Sequence, residues 1–145
     1  KVKNSMRVKN YFRIACHPLR LITDSIFHLR NSDSLILPAA NIPKKILNKF
    51  KKKNKKLLNY GLKLNKKDII KVGKTNCSLP EPLIIGYAVS FAISAGIKKI
   101  YLAGFDGFKK DDPYTDTTQN MINIFIKKLN INYITSLTKT DYKLK

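Results

Sequence analysis

The sequence predicts a small α/β domain whose core is a doubly wound, mostly parallel sheet of about five strands with helices on both faces. Two observations predict this fold class. Short apolar runs alternate along the chain with amphipathic segments of helical length, which is the pattern of successive βαβ units. The chain of 145 residues is 43% hydrophobic, which suits one domain with a core of its own. We expect that single domain to occupy residues 11–145.

Five short apolar runs are predicted to be strands, because each is rich in aliphatic residues and stops at a turn residue. The pattern between residues 62 and 76 is weak and allows only a short additional strand near 69–72. The five predicted strands cover residues 13–16, 34–37, 57–60, 99–103 and 132–135.

Helix-length segments separate these runs. The first predicted helix covers residues 18–30. Residues 82–95 are almost wholly apolar and too many for a strand, so they are predicted to form a buried helix that ends at Gly96. The last long helix follows Asp116 and Gln119, whose spacing resembles a capping box.

The net charge of +20 is the most prominent feature of the composition. A charge of this size usually indicates nucleic acid or an acidic membrane surface as the partner. Only four of the 29 basic residues are arginines, however, and lysine, asparagine and isoleucine all have AT-rich codons. Proteins that read phosphates or bases usually use the bidentate arginine fork, so nucleic acid is not expected to be the main partner.

The densest lysine run, residues 49–56, is interpreted as the solvated end of a helix that begins near residues 41–43. On that helix Ile46, Leu47 and Phe50 share one face, and the lysines face water. The alternative is an RNA-binding surface, which requires one continuous basic face.

The termini and the cysteines indicate a cytoplasmic protein. Residues 1–10 are polar, basic and aperiodic, and we interpret them as a linker or as the tail of an upstream domain. No apolar run approaches the ~20 residues of a membrane span, and no signal-peptide core follows the basic start. Cys16 and Cys77 form no CxxC pair, and with His17 and His28 they lack the spacing of a zinc site.

The best candidate for a ligand site is the Gly-Phe-Asp-Gly turn after the fourth predicted strand. Ligands of open α/β sheets bind beyond the carboxyl ends of the strands. Gly104 and Gly107 allow a ligand to approach the backbone closely, and Asp106 can accept hydrogen bonds from ribose or sugar hydroxyls. The alternative is that the Asp106 side chain fixes its own turn through an Asx-type bond.

The other strand ends supply weaker candidates, each with a structural alternative. Thr135 and Ser136 can offer hydroxyls to a phosphate or a sugar, or can cap the last strand. His17 can act as a general acid or base, or can be a turn residue before proline. Asp111 and Asp112 can hold a hydrated divalent ion, but a solvated loop before proline is the preferred interpretation. No GxGxxG, Walker A, nucleophile-elbow or HExxH motif is present.

Several of these segments together resemble one known domain. It is the C-terminal domain that follows an aldolase-like barrel, of the HMG-CoA lyase and 4-hydroxy-2-oxovalerate aldolase type, in bacterial proteins linked to surface-polysaccharide synthesis. The resemblance covers most of residues 11–144. It is carried by residues 14–20, 86–88, 95–107, 111–113 and 134–142.

The core of this domain is also similar to Rossmann-like domains of the motility-accessory and hydroxymethylpterin-diphosphokinase-like group, and to bacterial sialyltransferases. The resemblance implies a nucleotide or nucleotide sugar as ligand, with Mg²⁺ as a candidate cofactor, near Gly104 and Asp106. Aldolase chemistry requires metal ligands from the barrel, which does not fit in 145 residues. We therefore expect no aldolase activity of this chain alone.

Two hypotheses follow from the resemblance. In the first, the chain is an accessory or ligand-binding domain attached to an upstream aldolase-like barrel. In the second, it is a transferase-like, nucleotide-binding enzyme whose site is the Gly104–Gly107 turn. A deep pocket that converges on His17, Asp106 and Thr135 would favour this second hypothesis.

Overall fold

The computed structural model describes residues 12–31, 34–52, 56–65, 69–108, 111–128 and 133–144. The predicted linker at residues 1–10 lies outside these residues. The chain divides into two compact units, Lys1–Asn59 and Tyr60–Lys145, called unit 1 and unit 2 below. The single domain expected over residues 11–145 stays a prediction.

Unit 1 contains a three-stranded, fully parallel sheet whose strands lie in chain order. Two short helices connect the first two strands, and a 3-10 turn at Ala39–Asn41 followed by one longer helix connects the second to the third. The strands are β1 (Arg13–Ile14), β2 (Ser34–Leu37) and β3 (Lys56–Asn59), and the helices are α1 (Pro18–Thr23), α2 (Ser25–Asn31) and α3 (Lys44–Lys52).

Helix α3 has the two faces that its sequence predicts. Ile46 and Phe50 are buried in the core of unit 1 with Leu35 and Leu37 of the sheet, because their spacing places them on one side of the helix. The lysines of α3 are exposed, which confirms the predicted solvated face for this part of the run. These lysines are Lys44, Lys45, Lys49, Lys51 and Lys52.

The helix predicted over residues 18–30 is two helices. Asp24 lies between α1 and α2 with φ −94° and ψ 18°, outside helical geometry, and its N–H donates to the carbonyl of Arg20. The break separates the buried Leu21 of α1 from the buried Ser25 and His28 of α2.

Unit 2 contains two small sheets. In the first, the outer strand on one side is parallel to the central strand and the other is antiparallel, in the order β4-β6-β5. The second is a parallel pair, β7 with β8. The strands are β4 (Gly61–Leu64), β5 (Lys71–Val72), β6 (Asn76–Leu79), β7 (Ile100–Leu102) and β8 (Ile134–Ser136), and the helices are α4 (Ile84–Ser94) and α5 (Pro113–Lys128).

The prediction of a doubly wound, mostly parallel sheet of about five strands is wrong. The described residues form three separate sheets of three, three and two strands, and one of these sheets is mixed. The error lies in residues 61–79, where the sequence pattern is weak but three strands form. Leu62, Cys77 and Leu79 are buried next to less buried neighbours, so β4 and β6 are short, half-buried strands without a long apolar run.

Helix α4 confirms the predicted buried helix. It begins at Ile84, and Gly96 follows it with φ +72°, the left-handed conformation that glycine adopts at helix ends. Gly86 of α4 allows a close approach of α5, because a Cβ there would lie 2.1 Å from Met121 Sδ. In the part of the chain that the structure describes, no helix combines the length and apolar character needed to cross a membrane.

Candidate functional site

The parallel strands β7 and β8 bring two loops to one edge of their sheet. Ile100 pairs with Ile134 and Leu102 pairs with Ser136, so both strands end at the same level. Their carboxyl ends meet at one edge, which is where ligands of parallel α/β sheets bind. We call the two segments that follow, residues 103–108 and 137–142, the edge loops.

The edge loops are interlocked. Leu137 follows β8 and donates its N–H to the last residue of β7, so the hydrogen bonding of the sheet continues into the loops. Tyr142 fastens their far end, because its ring stacks on Phe105 at 4.9 Å between centroids and its hydroxyl accepts the Phe108 N–H at 3.3 Å. The N–H donors pair with oxygens as follows: Leu137 with Leu102 O at 2.7 Å, Gly104 with Thr138 Oγ1 at 3.0 Å, and Asp141 with Asp106 O at 3.0 Å.

The two glycines of the edge loops have different roles. Gly104 has φ +68°, and a Cβ built on it would meet no atom within 4 Å, so this side of its backbone is open. Gly107 has φ +121°, and its Cβ would lie 3.4 Å from Asp141 Cβ and 3.6 Å from Tyr142 Cε2. Gly104 therefore leaves space for a ligand, whereas Gly107 lies where the two loops pack together and is required by its positive φ.

The hydroxyls of β8 and its loop mainly hold the backbone. Ser136 Oγ donates to the carbonyl of Thr138 at 2.7 Å, and Thr138 Oγ1 accepts the Gly104 N–H. This contact fits the alternative that Ser136 caps the last strand. Thr135 is exposed on the strand. Thr138 contributes more to the site than the sequence indicated, since its hydroxyl connects the two loops.

Asp106 is exposed in the first edge loop. Its backbone carbonyl accepts from Asp141, but among the described residues its carboxylate has no hydrogen bond to its own turn. The Asx-type alternative therefore has no support in the structure. Asp141, which the sequence did not single out as a site residue, lies opposite with an exposed side chain. The only signal for Asp141 was its position a few residues beyond a strand end.

The other residues that the sequence predicted as site candidates are His17, Asp111 and Asp112. His17 is exposed in unit 1, where it precedes α1 and its carbonyl accepts the Leu21 N–H at 3.1 Å. Asp112 precedes α5, and its Oδ1 accepts the Tyr114 N–H at 2.8 Å, which is the contact of a helix N-cap. Asp111 is exposed beside it.

Helix α5 begins at Pro113, so the capping box predicted from Asp116 and Gln119 is wrong. Gln119 instead holds the C-terminal segment to the helix. Its Oε1 accepts the Lys143 N–H at 2.8 Å, and its Nε2 donates to the Lys143 carbonyl at 3.1 Å. The segment that follows the second edge loop is therefore fastened to α5.

Unit 2 also contains a cavity of about 410 Å³, which the sequence did not predict. Asn65 and Pro80 lie directly after β4 and β6, whose parallel register pairs Leu64 with Leu79. The cavity therefore also lies at the carboxyl edge of a parallel pair, with α5 beside it. Its lining residues are Asn65, Pro80, Glu81, Asp116, Thr117, Asn120 and Met121.

The buried cysteine of unit 2 has no nucleophilic character at neutral pH. Burial raises the pKa of the Cys77 thiol to about 11 and that of the neighbouring Tyr60 hydroxyl to about 12. The thiolate, which is the reactive form, is then almost absent at pH 7. Across the residues that the structure describes, no three His, Cys, Asp or Glu side chains are grouped so as to hold a metal ion.

No protein-family model, curated protein or solved structure matches this chain. The resemblance to the domain that follows aldolase-like barrels therefore stays a prediction, and the functional argument rests on the geometry of unit 2.

Proposed function

We propose that unit 2 binds a nucleotide or nucleotide sugar at the edge loops, as the ligand-binding domain of a longer aldolase-type protein of bacterial surface-polysaccharide synthesis. One observation carries the proposal. The two loops are joined by three hydrogen bonds and an aromatic stack, while the Gly104 backbone is open and the Asp106 carboxylate is exposed. A fixed loop pair of this kind costs little ordering entropy when it binds a ligand.

The chemistry of the loops suits a ribose or sugar better than a bare phosphate. A carboxylate accepts two hydrogen bonds, which matches a vicinal diol, whereas it repels phosphate. The phosphates would lie near two exposed lysines, Lys139 in the second edge loop and Lys143 directly after that loop. With Asp106 on the sugar hydroxyls, the exposed Asp141 offers a carboxylate of the kind with which proteins usually hold Mg²⁺ against substrate phosphates. When bound, Mg²⁺ would supply charge neutralisation of those phosphates.

The experiment is a thermal-shift and calorimetric titration of the chain with UDP, CMP and their sugar conjugates, with and without Mg²⁺, at 150 mM NaCl. A ligand present at 100 times its Kd stabilises the folded state by about 2.7 kcal/mol, which is visible as a raised Tm. Because the net charge is +20, any polyanion can bind loosely, so tripolyphosphate is the control ligand.

The sign of the Asp106→Asn effect separates the two kinds of binding. Loss of a negative charge strengthens non-specific anion binding, but it weakens a site in which the Asp106 carboxylate accepts ribose hydroxyls. We expect Asp106→Asn to bind the nucleotide at least five-fold more weakly and tripolyphosphate unchanged or more tightly. Asp24→Asn, the same charge change on an exposed residue of unit 1, is the matched control. Equal effects of both substitutions, or no nucleotide binding, would refute the proposal.

A further inference from the structure

The cavity beside α5 differs in charge from the rest of the protein. One residue in five of the chain is basic, yet none of the described residues that line the cavity is a lysine or an arginine. Two of the nine acidic residues of the chain, Glu81 and Asp116, line the cavity. The two segments that supply Glu81 and Asp116 also lie within the two longest stretches without a basic residue, residues 75–97 and 111–126.

The two carboxylates are not used to hold the fold. Within the described part of the chain, neither Glu81 nor Asp116 has an ion-pair or hydrogen-bond partner, and both are exposed at the cavity. Asp116 lies in the first turn of α5, where a negative charge also stabilises the helix dipole. Glu81 lies in the loop before α4, two residues ahead of the helix N-cap Leu83.

The remainder of the lining is of mixed character. Pro80 and the buried Met121 form apolar parts of the wall, and Thr117 and Asn120 add a hydroxyl and an amide. A volume of about 410 Å³ lies within the range of small-molecule sites and is too large for a lone ion. The described residues supply no third acidic, histidine or cysteine ligand there, and two carboxylates are too few for a tight cation site.

We propose that this cavity binds a small organic amine whose ammonium group pairs with Glu81 and Asp116 and whose remaining atoms contact Met121 and the polar lining. The proposal is independent of the edge-loop site, because it involves other residues and a ligand of opposite charge. Since the protein as a whole repels cations, binding of an amine requires a local carboxylate pair. At 150 mM salt the Debye length is about 8 Å, so only lysines within about that distance of the cavity contribute appreciable repulsion there.

Glucosamine and glucose are the probes, since they share their hydroxyls and differ by one ammonium group. Binding to the complete chain is followed by NMR titration and thermal shift at 150 mM NaCl. We expect glucosamine to bind, glucose to bind at least ten-fold more weakly, and the glucosamine affinity to fall when NaCl is raised. Glu81→Gln and Asp116→Asn should each weaken glucosamine binding about five-fold, as expected for the loss of one partly exposed charge pair.

Asp112→Asn is the matched control. It removes a charge from the same end of α5 but lies outside the cavity lining, and its Oδ1 can still accept the Tyr114 N–H. This variant should retain the glucosamine affinity of the unaltered chain. Equal binding of glucose and glucosamine, no response to glucosamine at 10 mM, or an equal loss in Asp112→Asn and Asp116→Asn would each overturn the proposal. A nucleotide response at the edge loops would leave this result unaffected.

Discussion

Tyr87→Phe tests whether the buried tyrosine pair of unit 2 holds its core together. Tyr87 is fully buried in α4, and its hydroxyl donates to the backbone carbonyl of Tyr60, which is 2% exposed. Phenylalanine keeps the ring and its contact with the Tyr60 ring, whose centroid lies 5.6 Å away. The substitution therefore removes only the hydroxyl and leaves a buried carbonyl without that donor. Leaving one buried polar group unsatisfied costs about 1–3 kcal/mol, so we expect a loss of ~2 kcal/mol in the free energy of unfolding.

The assay is urea denaturation followed by circular dichroism, with thermal melting as a second measure. Tyr101→Phe is the matched control, because Tyr101 is 59% exposed and its change should stay within about 0.5 kcal/mol. For units of this size, each kcal/mol lowers Tm by roughly 2–8 °C. If Tyr87→Phe and Tyr101→Phe had the same free energy of unfolding, the reasoning about the buried hydroxyl would be wrong.

Three further predictions concern the two units. Phe50→Ala should lower the stability of unit 1 by about 3–5 kcal/mol in urea denaturation, because Phe50 is fully buried in the core; a loss below 1 kcal/mol would contradict its place there. Gly107→Ala should cost about 1–3 kcal/mol and more than Gly104→Ala, because φ +121° lies outside the left-handed helical region that other residues can adopt, whereas φ +68° lies within it; equal losses in thermal melts would refute this. Burial, and to a smaller extent the charge of Arg13, lowers the pKa of His28 from its ordinary 6.5. The unfolded chain therefore binds this proton more tightly than the folded chain does. The free energy of unfolding should fall as pH drops below 6.5, by at most about 1.4 kcal/mol per pH unit. His28→Gln should flatten this part of the pH profile of urea denaturation, and an unchanged profile would refute the assignment.

The sequence predicted those elements whose signal is local. Residues 34–37 form a strand, the apolar run within 82–95 forms α4, and Gly96 takes the left-handed conformation that ends a helix. In each case the deciding property is carried by neighbouring residues, either an apolar run or a glycine. Asn76–Leu79 escaped detection because only Cys77 and Leu79 are buried and the rest of the strand is polar. Its strand conformation depends on pairing with residues 61–64, which is a contact that no local pattern encodes.

The candidate sites also contain some features that a local sequence pattern predicts and others that depend on contacts between distant segments. The glycines of the edge loops were predictable, because two glycines beside an aspartate after an apolar strand form a local pattern. The assembly of the second edge loop against them was only partly predictable, since the roles of Thr138 and Asp141 depend on the register of β7 with β8. The cavity was not predictable at all. Its walls come from residues that follow two strands the sequence did not indicate and from one face of α5.

The start of helix α5 explains why the capping box predicted from Asp116 and Gln119 is wrong. Asp112 followed by Pro113 is a stronger start signal than the pair Asp116 and Gln119, since an N-cap carboxylate and a proline at the first helical position act together. The helix accordingly begins at Pro113, with the Asp112 carboxylate on the Tyr114 N–H. Asp116 and Gln119 then lie inside the first turns, where their side chains are not needed for capping. They become available for tertiary contacts, Asp116 at the cavity and Gln119 on the backbone of Lys143. One early helix start thus explains both the wrong capping box and the polar face on which the cavity depends.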